Sequence, residues 1–187
     1  MKKINGLTLE EAKTLAFKAG FEGEKYRMDC AQETWHGVST ALGIKNPMIF
    51  KVLSAFEGGG GISSEGSCGA ISGGLAAFSY YFGRTYEQWE KKEMVFKSAD
   101  LGMELINRFK EKYGGIRCKD VHLEKFGRTF NLRDRKVDFQ IFEEMGGHEF
   151  QCPSVVGWTA AQIIDILWEE LPGDVNLSDI GELKDFS

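Results

Sequence analysis

Cys30, Thr34, Gly37 and Ala41 recur at spacings of four, three and four residues, and Gly69, Gly73, Ala76 and Ala77 repeat the pattern further along. On helices, such spacings put the residues on one side. Each stretch then presents a stripe nearly free of side-chain bulk, and two such stripes packed together let their backbones approach closely. This pair constrains the chain to bury one helix against the other. It also brings Cys30 near the N-terminal end of the Cys68 helix, where unpaired N–H groups and the helix dipole favour a thiolate.

The remaining pattern is helical as well. Thr8-Leu9-Glu10-Glu11 has capping-box form, and Ala12, Leu15, Ala16 and Ala19 follow at helical spacing up to Gly20. A second helix is expected from about Met28 to Leu42, stopped by Gly43, and a short third over Met48 to Ala55 behind Pro47. Phe56 to Ser67 is glycine-rich and turn-forming, and delivers the chain to Cys68 and a central helix ending at Phe82. Thr85 to Tyr113, with Val95, Ala99, Gly102, Ile106, Phe109 and Tyr113 in phase, reads as the longest helix. Shorter ones are expected at Cys118 to Phe126 and Arg135 to Met145. A strong last helix carries Val156, Ala160, Ile163, Ile164, Leu167 and Leu171, before an acidic tail over 174–187.

No stretch alternates with the two-residue period of a strand. The fold class expected is all-α, a single compact bundle of about six or seven helices in one domain spanning residues 1–187. With 42% hydrophobic residues, the chain can bury one substantial core.

A net charge of -5 without a long basic run argues against nucleic acid as a partner. The least polar stretch, Ile71 to Phe82, falls short of the ~20 residues that a membrane span needs. The start of the chain lacks the apolar core of a secretion signal, so a cytoplasmic location is expected. Four cysteines are too sparse for a disulfide scaffold, and in a reducing compartment they point to metal binding or redox work.

Cys30, Cys68, Cys118 and Cys152 are therefore the candidate site, as redox thiols or as metal ligands. Cys152 directly precedes Pro153 and is expected near a helix N-cap. Cys118 lies between Arg117 and Lys119, whose charge would lower a thiol pKa. The bland alternative is four buried cysteines acting as small hydrophobes. Cys118 and His122 are four apart, as are His148 and Cys152, so a mixed zinc site can be drawn; but no C-x-x-C pair exists and His36 lies off the Cys30 face. The histidines are not taken as ligands. The glycine run lacks the G-K-[ST] of a phosphate loop and is read as a tight turn. Trp35, Trp89, Trp158 and Trp168 are read as core or interface.

Cys30-Ala31-Gln32, then Phe56-Glu57-Gly58-Gly59-Gly60, then Cys68-Gly69-Ala70-Ile71-Ser72-Gly73, then Cys118 and Cys152, resemble the C_GCAxxG_C_C family of redox-active proteins over about residues 28 to 170. One departure is Ser67, where the family name places glycine. The resemblance implies a redox role near oxidoreductase or transporter systems, with a redox protein or oxidoreductase as the partner. A related domain occurs in split-Soret cytochromes, but this chain has no C-x-x-C-H and covalent haem is not expected. Four thiolates are the usual ligand set of a [2Fe–2S] cluster. The first reading is thus electron transfer or redox sensing through an iron–sulfur site on the four cysteines. A metal-free thiol–disulfide protein and a helical interaction module with structural cysteines stay open as alternatives, as do a role as an oxidoreductase component and homo-oligomerisation.

Overall fold

A computed structural model describes residues 2–174 and 177, and every regular element among them is helical. The order is α1 (Leu9–Arg27), α2 (Cys30–Leu42), α3 (Pro47–Leu53), a 3-10 turn (Glu57–Gly59), α4 (Gly69–Phe82), α5 (Tyr86–Glu90), α6 (Lys97–Tyr113), α7 (Cys118–Phe126), α8 (Asp138–Glu144), a π turn (Gly147–Gln151) and α9 (Cys152–Glu170). The all-α class holds, with nine α-helices among the described residues where six or seven were expected.

Part of that difference lies in Thr85–Tyr113, which is two helices rather than the longest one. Lys92 adopts a left-handed φ of 59°, and the chain leaves the helix until Lys97. Nothing opposes the break, because α5 buries no residue and so has no packed face to keep it in phase with α6. Trp89, expected in a core or interface, is correspondingly 53% exposed. The longest helices are α1 and α9, of 19 residues each.

Thr8 caps α1 with the expected capping box. The helix does not stop at Gly20 but runs on to Arg27, because Gly20 serves close packing rather than termination. A Cβ there would lie 3.3 Å from Val156 Cγ1 and 3.5 Å from Ala160 Cβ, so α1 presses against α9 at this point.

α1 lies along α9 and α2, α2 also packs on α4 and α9, and α4 meets α6 and α9. Phe78, Leu105, Phe109, Ile163, Ile164 and Leu167 are fully buried where these helices meet. The α6 register differs from expectation by one position: Leu105 is buried and Ile106 only partly so. A smaller apolar cluster of Phe130, Leu132 and Phe142 forms between α7 and α8.

The close approach of α2 and α4 is present. A Cβ on Gly73 would come 2.5 Å from the Ala31 carbonyl oxygen and 2.9 Å from Thr34 Cβ. Gly37, expected on the same face of α2, turns instead to α1, where its Cβ would lie 2.7 Å from the Ala16 carbonyl. The stripe therefore serves two partners, its first turn facing α4 and its next facing α1. No helix among the described residues is long and apolar enough to cross a membrane. Of the expected acidic tail, only Asp174 and Leu177 are described, and their amides bond to Lys3 O and Asn5 Oδ1.

Candidate redox site

All four cysteines open helices. Cys30, Cys118 and Cys152 are the first residues of α2, α7 and α9, and Cys68 is the N-cap of α4. Each is aimed by a distinct local device. Between α1 and α2 the chain reverses through two consecutive left-handed residues, Met28 (φ 62°) and Asp29 (φ 75°). Asp29 holds that turn by accepting a hydrogen bond from the Gln32 amide at 3.1 Å. Cys30 then meets α4 where Gly69 replaces a side chain, since a Cβ there would collide with its sulfur.

Cys68 and Cys118 are tied by a short antiparallel pairing of Ser67 with Arg117. Cys68 N–H donates to Ile116 O at 2.7 Å, and Cys118 N–H to Gly66 O at 3.0 Å. The glycine run closes over this pairing. Gly59 has φ 81°, and a Cβ on it would lie 3.0 Å from Cys118 Cβ, so no other residue fits.

Cys152 departs from the expected N-cap. The π turn Gly147–Gln151 runs directly into α9, and Cys152 N–H already bonds to Gly147 O. The helical path thus begins before Cys152, because Gly146 at φ 82° starts it.

The four sulfurs belong to one cavity of about 110 Å3, shared with Glu24, Asp29, Glu57, His122, His148 and an apolar wall that includes Val121, Leu132, Phe142 and Val155. Cys68 and Cys118 are buried, Cys30 and Cys152 half-buried, and all four are free thiols. Two histidines that the sequence pattern disfavoured therefore line the site. His122 Nε2 stands 3.5 Å from Cys118 Sγ. His148 hydrogen-bonds Glu143 through Nδ1, while its Nε2 is 3.9 Å from Glu24 Oε1.

The expectation of thiolates is not met by the protein's own charges. Arg117 and Lys119 turn away to Asp120 and Glu65, and burial pushes the Cys118 thiol up. Cys30 is pushed up by its interaction with Cys68, by burial and by Glu24. Burial and Glu24 do the same to Cys152. A bound cation would favour the thiolate forms of Cys30, Cys118 and Cys152 against these effects.

Glu24 is the residue that sequence reasoning missed. It lies beyond Gly20, in the part of α1 not anticipated, and is 2% exposed. Its Oε2 has no hydrogen-bond partner among the described residues. Burial, then Asp29, Glu33, Glu57 and Glu143, raise its carboxyl to about 8 from 4.5. The unfolded chain loses this proton near 4.5, so the cost to the fold is absent below that pH, grows up to about 8 and then stays constant. Glu24→Gln is expected to stabilise the metal-free protein at about pH 9 and to leave it unchanged at about pH 4. At ~1.4 kcal/mol per pH unit, the interval bounds the gain at roughly 5 kcal/mol. Urea unfolding of both proteins at the two pH values measures it, and a difference that does not widen with pH would contradict a buried acid.

No three His, Cys, Asp or Glu side chains among the described residues stand close enough to hold one metal ion. The cavity is of another kind: a water needs only ~10–15 Å3, and this cavity, with the four cysteines in its lining, holds about 110 Å3. The donor set and room fit a group of several atoms, such as an iron–sulfur cluster. The sequence model of one family, described as "Putative redox-active protein (C_GCAxxG_C_C)", matches residues 28–166. No curated protein and no solved structure matches the chain.

Proposed function

We propose that this chain, which belongs to the C_GCAxxG_C_C family, transfers or senses electrons through an iron–sulfur cluster held by Cys30, Cys68, Cys118 and Cys152. The observation that carries the reading is the convergence of four helix starts, far apart in sequence, on one cavity lined by all four cysteines. A bound cluster supplies reversible electron storage, with a potential set by charge, burial and hydrogen bonds to sulfur.

The protein supplies the rest. Cys68 sits at the N-terminus of α4, the positive end of the helix dipole, and the Gly58 amide favours the charged form of Cys30. Val121, Leu132, Phe142 and Val155 give the site an apolar wall. The partner in this reading is a redox protein or oxidoreductase, and the setting is the reducing cytoplasm.

Protein purified anaerobically from an iron-replete host is expected to be coloured and to contain iron and acid-labile sulfide. Each single Cys→Ala variant should lose most of both. A colourless, iron-free wild type would overturn the cluster.

The second reading is a metal-free couple at Cys30 and Cys68, the neighbour that does most to push the Cys30 thiol up. Forming their S–S bond would release two protons and pass two electrons to an acceptor. An iron-free protein in which mild oxidation joins these two residues, identified by peptide mass, would establish it instead.

A further inference from the structure

We infer that His122 donates its Nε2 hydrogen to the sulfur of Cys118 and thereby raises the reduction potential of the four-cysteine site. The effect on potential rests on the redox reading above, whereas the hydrogen bond does not.

His122 is 1% exposed, one turn after Cys118 on α7, with Nε2 3.5 Å from Sγ. Phe126, Phe130 and Phe142 surround the ring at centroid distances of 6.0, 5.4 and 5.7 Å. In its neutral form the imidazole carries one ring hydrogen. Nδ1 has no hydrogen-bond partner among the described residues.

Two tautomers are available. With the hydrogen on Nδ1, a buried donor is left without an acceptor. With it on Nε2, the hydrogen points at sulfur and only a lone pair goes unpaired. Orphaned buried donors are the rarer case, so the second tautomer is favoured. A pocket of three phenylalanines would accept an apolar side chain at lower desolvation cost. Among the described residues, the Cys118 sulfur is the polar atom within hydrogen-bond reach of the ring. An N–H···S bond draws electron density from the ligand sulfur and favours the more electron-rich state of the site. His122 is thus a positioning residue that acts through Cys118.

The test uses the full chain, His122→Leu to remove the donor and His122→Gln to retain one. Redox titration of the anaerobic proteins is expected to show a potential about 59 mV lower in the leucine variant, a tenfold change for one electron, with most of it restored by glutamine. Equal potentials in three folded, iron-loaded proteins would overturn the role in setting potential, and so would a wild type with no redox-active centre. The bond is decided separately on the metal-free wild type, by long-range proton–nitrogen correlation of its 15N-labelled histidines. Hydrogen on Nε2 with Nδ1 bare supports it, and hydrogen on Nδ1 overturns it.

Discussion

Ile163→Asp is expected to abolish the cooperative unfolding transition at neutral pH. Ile163 is fully buried in α9, the helix that packs on α1, α2, α4 and α6 together. Its Cδ1 fills the space left by Gly74, where a Cβ would come within 2.9 Å. An unpaired carboxylate at that point costs several kcal/mol, against the ~5–15 kcal/mol that hold a whole domain folded. Near-UV circular dichroism on heating should show no native signal to lose. Ile106→Asp, on the partly buried flank of α6, should instead melt cooperatively at a lower temperature. A fully folded Ile163→Asp protein with unchanged melting would mean that the α9 face is assigned wrongly.

Gly73→Leu should be nearly as damaging, and for a different reason. The space beside Gly73 is occupied by backbone: its Cβ would meet the Ala31 carbonyl at 2.5 Å and the Trp35 amide nitrogen at 3.3 Å. Backbone cannot turn aside as a flexible side chain does, so α2 and α4 must separate. Overpacking of this sort costs ~1–3 kcal/mol when side chains can adjust, and more when they cannot. A loss of about 3 kcal/mol or more is expected. One turn earlier, Gly69 faces Cys30 Sγ, so the same separation would draw Cys30 from Cys68 and lower iron uptake without removing a thiol. Melting and iron content are measured on the same preparation. A variant unchanged in both would show that the helix contact and the site are independent.

The helical class and the Thr8 cap were readable from spacing, because each depends on neighbours within one or two turns, and the small face at Gly73 was readable in the same way although the helix it meets is not local. Misreadings arose where a residue's partner lies far along the chain. Gly20 is a stop signal by local rules, and only α9, more than half the chain away, makes it a packing residue. Glu24 escaped notice for the same reason: a glutamate near the end of a helix is ordinarily solvated, and nothing local shows that it faces a buried cavity. His122 and His148 have spacings that admit a shared site with Cys118 and Cys152, yet the usual zinc signature is a local pair. The phenylalanines enclosing His122 come from α7, from the loop after it and from α8. Lys92 is the opposite case, since the periodicity continued across a point where no packed face enforced it.

The placement of the four cysteines has a consequence for how the chain reaches its final state. Any group bound by all four sulfurs joins residue 30 to residue 152 and closes most of the polypeptide into loops. In an unfolded chain that closure is entropically unfavourable, by an amount that grows with the logarithm of loop length. The bound group therefore selects the assembled state and behaves as a removable cross-link, stabilising it by mass action. Release would free the starts of α2, α4, α7 and α9 from one another, making protease resistance of the chain a readout of occupancy at its centre.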